Sequence, residues 1–352
     1  MAHVPPRGAA EDVRELAPGL WLLRTPLPGH STGSLNSYLI TDGGRAAVVD
    51  TPWGTPDVIG AFADRIAATG TSPSAVGHVL VTHHHEDHSG AAGWLQEQGG
   101  GEVVMSARDH AVLRRRTGAE QGGYGAELGD WLDAVGADAG TRAYAFDQQR
   151  ALGARLYALP RVRCAGDGDT VRVGGRRLDV VETPGHTPGH LCFVERRRGL
   201  VFAGDHVFRR RRGNAVARPP SVPRPVASYW RSMAKLLATG AGTVLPGHGE
   251  PFTDLAARAE ELAGFRDRKR AEVVSLAAEP TTAWEVARRM RRRQRWEELN
   301  GNARLAATGE ALAYLLDARD AGLVTGTTST PRLWTSTPTA VGPRDDRKEH
   351  RT

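Results

Sequence analysis

His83, His85, Asp87 and His88 fall within six consecutive positions of the run VTHHHEDHSG, directly after apolar residues. Alternate residues of an extended segment point the same way, so His83 and His85 share a direction. Asp87 and His88 come about a turn later and can bend towards a second point nearby. Three more residues of ligand type follow short apolar runs that end in turns: His186 in ETPGHTPGH, Asp205 in VFAGDH and His248 in LPGHGEP. For all seven to converge, those apolar runs must be strands whose ends share one sheet edge. That requirement narrows the available folds more than any bulk property does.

Short apolar or alternating runs mark strands at about 20–24, 37–41, 46–50 and 78–82. Between the last two, DVIGAFADRIAATG puts Val58, Ile59, Phe62 and Ile66 at helical spacing, and Gly70 is placed to end the helix. GAAGWLQEQGG then reads as helix and EVVMS as strand. The order returns at 170–173, 177–182, 191–195, 200–203 and 243–245, with a helix around 229–240 before the last strand. Two such halves facing each other predict an α/β fold, a four-layer αββα sandwich with the ligand loops meeting at one end of the cleft.

Residues 1–253 are thus expected to form the catalytic unit, within which the Gly- and Ala-rich stretch 111–165 is either a helical connector or a lid over a substrate pocket. Residues 254–280 read as a linking helix closed by Pro280. Thr281 or Thr282 can cap a helix through Arg289. A further helical run covers about 303–321, with Leu305, Leu312, Leu315 and Leu316 on one side, and Gly322 ends it. LVTGTTSTPRLW has the turn residues of a hairpin. Helices and a hairpin over 281–335 make the size of a winged-helix-like domain, and 336–352, rich in Pro, Thr and charge, are expected to be a disordered tail.

Imidazole suits zinc, iron and other late first-row ions, and carboxylate extends the range to harder ones. We expect His83, His85 and His186 to hold one divalent cation and Asp87, His88 and His248 a second, with Asp205 bridging them. Zn2+ is the first expectation, and Fe or Mn suits the same nitrogen and oxygen donors. Two cations about 3.5–4 Å apart acidify a bridging water, so the expected chemistry is hydrolysis, with hydroxide adding to an acyl carbon or a phosphorus. Asp87 is the expected catalytic residue, orienting that nucleophile or taking its proton. An isolated HxH pair often marks no more than an exposed loop, but chance does not explain all seven residues in this order. Surface or supporting roles are expected for His3, His30, His78, His84, His110, His190, His206 and His350, with His190 the nearest competitor of His186. Cys164 and Cys192 lie in no CxxC pair and suggest neither a disulfide framework nor a metal site.

The series HxHxDH, His in TPGHT, Asp in GD and His in PGHG resembles the metallo-β-lactamase superfamily over about residues 15–255. The resemblance implies the αββα sandwich, a dinuclear site that is most often zinc, and hydrolytic activity. Asp50 in VVDT matches an early strand-end Asp that supports the site without ligating metal. AWEVARRM, ELNGNARLAATGEALAYLLDARDAGLV and the following LW are similar to the winged-helix domain of the β-lactamase-like protein 2 group. That group is hydrolytic, and some of its members look like endoribonucleases for single-stranded RNA.

The net charge of +6 leaves nucleic acid open as a partner, and so does the basic run RRMRRRQRW, which a charged helix face explains equally well. Arg209, Arg210, Arg211 and Arg212, close after Asp205, are either a solvated loop or a clamp for an anionic substrate. No stretch is apolar enough to span a membrane, and MAHVPPRGAAEDVREL lacks an apolar leader core, so a cytoplasmic protein is expected. Whether the helix at 254–279 connects domains or drives oligomerisation stays open. The leading expectation is a metal-dependent hydrolase of an acyl ester or thioester of modest size. The rivals are an endoribonuclease using the same ions, and a nucleic-acid- or protein-binding module with structural metals.

Overall fold

Side chains alternate across a strand, and in this chain both faces are apolar, so each sheet must be covered on two sides. The computed structural model describes residues 12–117, 121–157, 160–210, 215–219 and 222–338. Its first sheet starts as an antiparallel meander of β1 (Val13–Ala17), β2 (Leu20–Pro26), β3 (Ser34–Asp42) and β4 (Arg45–Val49). It continues in parallel through β5 (Val76–Leu80), β6 (Glu102–Met105) and β7 (Val162–Cys164). The second sheet is the meander β8 (Thr170–Val173), β9 (Arg176–Glu182), β10 (Leu191–Glu195) and β11 (Leu200–Gly204). Parallel β12 (Thr243–Pro246) and the short antiparallel β13 (Phe252–Thr253) complete it.

Tyr38, Ile40, Ala47 and Val49 of the first sheet meet Val173, Leu178, Phe193 and Phe202 of the second in one buried cluster between the sheets. Truncating Phe193 to Ala there would cost about 3–5 kcal/mol, because rigid neighbours do not close the gap. The intervening residues point outward. Leu39, Ala46 and Val48 pack on Ile59, Phe62 and Ile66 of α1 (Pro56–Ala68), which ends at Gly70 with φ of +81°. Cys192, Val194 and Val244 pack on Val226, Met233 and Leu236 of α7 (Pro225–Leu237). The result is the expected order of helix, sheet, sheet and helix. Strands β1, β7 and β13 were not anticipated; they are short edge strands whose sequences carry little alternation.

After β5 come the single turn α2 (Glu86–Ser89) and α3 (Ala92–Gly99). The stretch between β6 and β7 is helical: α4 (Ala107–Thr117), α5 (Gln121–Val135) and α6 (Ala139–Ala151), the last capped by Asp138 accepting from Thr141 N–H at 2.7 Å. Beyond β13 run α8 (Leu255–Leu276), α9 (Ala283–Arg289) and α10 (Gly301–Asp320), then the hairpin of β14 (Val324–Gly326) and β15 (Trp334–Ser336). Thr282 caps α9 by accepting from Glu285 N–H at 3.2 Å, and Asn300 caps α10 by accepting from Ala303 N–H at 2.9 Å, which starts α10 two residues before the expected position. Leu305, Ala311 and Leu315 of α10 belong to the same apolar cluster as Met233 and Val244, so these helices share the core on the outer face of the second sheet. Among the described residues no helix is long and apolar enough to cross a membrane. Positions 339–352 of the expected tail lie outside the described residues.

Candidate metal centre

Every one of the seven expected ligands leaves the end of a strand. The chain turns after β5 into His83, His85, Asp87 and His88; after β9 into His186; after β11 into Asp205; and after β12 into His248. Strand ends hold these loops firmly because the preceding backbone is locked in the ladder. Gly247 allows close passage at the site itself, since a Cβ on it would sit 2.5 Å from His88 Cε1.

The structure brings all seven together. His83 Nε2 lies 3.0 Å from His85 Nδ1, which lies 3.1 Å from His186 Nε2. His88 Nε2 lies 3.2 Å from His248 Nε2, and Asp87 Oδ2 is 3.2 Å from His248 Nε2 and 3.7 Å from His88 Nε2. Asp205 reaches both groups, with Oδ1 3.3 Å from His88 Nε2 and Oδ2 3.7 Å from His186 Nε2. Around a tetrahedral ion with bonds of about 2.0–2.1 Å, ligand atoms stand about 3.3–3.4 Å apart. Ring nitrogens facing one another at that spacing must either share a proton or repel through their lone pairs, and a cation between them satisfies both. His83, His85 and His186 could hold an ion; so could Asp87, His88 and His248, and His83, His88 and Asp205 overlap both sets.

Partners on the far side of the rings set their tautomers. A carboxylate and a carbonyl only accept, so His88 Nδ1–H donates to Asp50 Oδ2 at 2.8 Å and His248 Nδ1–H to Ser34 O at 2.7 Å. The Thr82 hydroxyl donates to Asp50 Oδ2 at 2.8 Å and accepts from His83 Nδ1–H at 3.0 Å. Each Nε2 is left facing the other ligands. Asp50 does this from a left-handed backbone, φ of +60°, which a non-glycine residue adopts at a cost of about 1–3 kcal/mol.

Burial, then neighbouring imidazoles, hold His83 and His85 well below the usual imidazole range. Burial also disfavours charge on His88, but the carboxylates of Asp205, Asp87 and Asp50 outweigh it and raise that ring. Burial opposes ionisation of Asp87 and Asp205, yet the His88 and His248 rings hold both below the carboxylate range. Ionised carboxylates and mostly neutral imidazoles are the forms that ligation needs.

One buried carboxylate escaped the sequence reading. Asp109, on α4, accepts from His84 N–H at 3.0 Å and from the Thr187 hydroxyl and Gly189 N–H, both at 2.6 Å. It staples the loop of His83–His88 to the loop of His186. No motif surrounds it, and the only sequence hint is a Ser106 three residues before it, whose hydroxyl accepts from Asp109 N–H at 3.1 Å.

The remaining histidines divide by position. His190 uses both nitrogens, accepting from Asp205 N–H at 3.2 Å while Nδ1 meets the Thr183 hydroxyl at 2.8 Å, so it steadies Asp205 and is absent from the donor groups. His84 Nδ1 lies 3.2 Å from Asp109 Oδ2. His206 is buried and stacked on Tyr229, its pKa lowered to about 3 by that burial. His30 lines the metal cavity with Nε2 3.6 Å from Asp87 Oδ2. His78 lies 3.5 Å from Glu102, His110 sits on α4, and His3 and His350 lie outside the described residues. Both cysteines are free, and burial raises the Cys192 thiol to about 12.

Above the donors is a cavity of ≈ 230 Å³ that reaches His85, Asp87, His186, Asp205 and His248. Arg116 and Tyr124 from the 111–165 stretch, Arg218, and Asn302 and Ala306 of α10 also line it. Of the arginines weighed as a solvated loop or a substrate clamp, the described pair sits outside this cavity. Arg209 and Arg210 line a neighbouring depression beside Phe208, His248 and Glu250, and Arg211 and Arg212 lie outside the described residues. The basic run that begins at the end of α9 is largely engaged within the chain. Arg289 donates to Leu276 O at 2.9 Å, Arg288 and Arg295 pair with Glu285 and Glu298 at 3.2 and 2.9 Å, and Arg292 lies over Trp296.

Residues 30–248 match the family model of the metallo-beta-lactamase superfamily. The chain belongs to that superfamily. It is 26% identical over 281 residues to the probable metallo-hydrolase YqjP of Bacillus subtilis, covering 76% of this chain and 83% of that protein. It is 29% identical over 225 residues to the acyl-coenzyme A thioesterase MBLAC2 of Gallus gallus, covering 62% and 73%. The beta-lactamase-like protein 2 homolog of Caenorhabditis elegans is 20% identical over 260 residues, covering 72% and 71%. Among solved structures, the metallo-beta-lactamase family protein TTHA1429 of Thermus thermophilus superposes with a TM-score of 0.78 at 29% identity, over 92% of this chain and 100% of that one. Family and relatives together make this protein a metallo-β-lactamase-fold hydrolase, with His and Asp groups able to bind metal.

Proposed function

We propose that the enzyme hydrolyses an acyl ester or thioester of modest size with two divalent cations held by His83, His85, Asp87, His88, His186, Asp205 and His248. The observation that carries this is Asp205, whose two oxygens reach separate donor groups at the floor of a small cavity. Zn2+ is the first choice, with Fe or Mn open because the donors are nitrogen and oxygen only. When bound, such a pair acidifies a water and polarises a carbonyl. The chain's part is to place that water and the substrate. Asp87 Oδ2, 3.2 Å from His248 Nε2 and on the cavity wall, orients the nucleophile or takes its proton. Asp50, Ser34 and Thr82 keep the rings in register, and the covering helices limit water access.

Structural metal sites are closed by protein ligands. Here five of the seven donors open onto the cavity, which favours catalysis over a purely structural role. The compact cavity and the internally engaged basic run favour an acyl substrate over an RNA strand. The thioesterase name of the Gallus gallus relative points the same way. We further read residues 254–280 as a linking helix and 281–335 as a winged-helix-like module that walls the cavity through Asn302 and Ala306. Metal analysis beside a panel of thioesters, lactones and labelled RNA tests this. EDTA-sensitive thioester or ester turnover is expected, and EDTA-sensitive RNA cleavage without acyl turnover would replace the reading with the nuclease one.

A further inference from the structure

Part of the cavity lining comes from segments far apart in sequence: the last turn of α4, the stretch 215–219 and the first turns of α10. Each presents a group suited to anions, namely Arg116, Arg218 and Asn302. Both guanidiniums line the same cavity as the donors His85, His186, Asp205 and His248. Glu86 shares the cavity, but Arg155 lies 3.5 Å from its carboxylate and offsets part of its charge.

These groups are held in place. The buried Arg116 guanidinium lies 5.3 Å from the centre of the Tyr124 ring, which fixes the plane of its fork. Tyr124 Oη–H donates to Pro219 O at 3.1 Å, Trp131 Nε1–H to Ala217 O at 2.9 Å, and Ala217 N–H to Gly309 O at 3.0 Å. The Arg218 backbone is thereby pinned between α5 and α10. Gly309 permits the approach, since a Cβ there would meet Val216 Cγ1 at 2.4 Å. Asn302 stands in the first turn of a 20-residue helix, where the backbone dipole favours negative charge. Rigid arginine forks beside a reaction centre are the usual way to recognise a planar carboxylate or a phosphate.

We propose that Arg116 and Arg218, with Asn302, form an anion subsite that selects esters or thioesters bearing a carboxylate or phosphate within a few bonds of the scissile carbonyl; this rests on the hydrolase reading above. The short distance follows from the shared lining. Both guanidiniums and the metal donors line one cavity of ≈ 230 Å³, so an anion seated on the arginines lies close to the reacting carbonyl.

Two matched pairs of thioesters test the idea and locate the anion. One pair varies the acyl side, butyryl against succinyl on a neutral thiol. The other varies the thiol, an ethyl against a carboxyethyl leaving group on one acyl chain. The wild type is expected to favour the charged member of one pair by at least about tenfold in kcat/KM, mainly through KM, a preference worth about 1.4 kcal/mol. In R218Q, and in R116K where the charge stays but the fork is lost, the charged-to-neutral ratio should fall towards one at equal metal content. A wild type without preference in either pair, or a ratio that survives in both variants, overturns the subsite.

A second readout does not need turnover. Succinate and inorganic phosphate are titrated into EDTA-treated protein and followed by calorimetry. Binding at least about tenfold weaker in R218Q than in wild type supports the subsite, and no binding to wild type, or equal binding, overturns it. If the wild type hydrolyses none of the four thioesters, the thioester reading has failed, and this titration alone decides the anion site.

Discussion

The metal cavity has two kinds of wall. One is built from sheet edges: seven donors leave the ends of β5, β9, β11 and β12, and Asp50 and Asp109 bind their loops through short buried hydrogen bonds. The other is built from helices, and its polar groups Arg116, Arg218 and Asn302 depend on how α4, α5 and α10 pack on one another. The contrast separates chemistry from selection. Ligand geometry tolerates errors of a fraction of an ångström and sits where backbone ladders enforce it. The helical wall can change its residues without moving the floor, so substrate choice can drift while the reaction stays.

Perturbing each wall in turn should expose that division. Replacing Asp205 by Ala removes the carboxylate that reaches both donor groups, and metal content should drop with a loss of activity above the ~10–100-fold typical of outer partners. Full metal content with full turnover would break the proposed floor. Asp109→Asn leaves every ligand in place and loosens two loops, so a metal affinity weaker by about 10–100-fold is expected from competition with a chelator. Gly309→Ala acts on the helical wall alone. The crowding against Val216 should destabilise by about 1–3 kcal/mol in denaturant melts and alter the charged-to-neutral ratio, with metal content held.

His206 gives a prediction in pH. Burial lowers its pKa to about 3 in the folded chain, whereas the unfolded chain titrates near the ordinary imidazole value of 6.5. Between those values the unfolded state binds the extra proton, so this group removes stability as pH falls below about 6.5 and no further below about 3. Metal-free protein should lose about 1.4 kcal/mol through His206 between about pH 7.5 and pH 5.5. His206→Phe should show that much less pH dependence in thermal melts, and an unchanged slope would refute the assignment. The smallest effect is expected from Arg210→Gln. Its depression adjoins the cavity without containing Arg116 or Arg218, so selectivity should stay within about twofold of wild type. A larger shift would move the anion clamp back to the loop after Asp205.

Most of the sheet framework was readable because both sheets consist of short apolar runs bounded by turns, and a run such as HVLVT has few alternatives to a buried strand. The ligand loops were readable for the same reason, each sitting immediately beyond such a run. Edge strands such as β13 were not, since two residues with one buried face leave no pattern. His30 was expected at the surface or in support, and only the turn between β2 and β3 folding over the donors carries it to the cavity.

The order of residues alone was sufficient to pick out the seven side chains that the fold gathers, because each is encoded with the strand end that aims it. Asp109, Arg116, Arg218 and Asn302 carry no such local mark. Their partners lie up to about two hundred positions away; Arg218 and Asn302 are placed by the apolar cluster that draws α5, α7 and α10 onto the outer face of the second sheet, while α4, which carries Asp109 and Arg116, packs through Leu113 on the outer face of the first. Local pattern encodes direction, whereas proximity between distant segments is decided by packing.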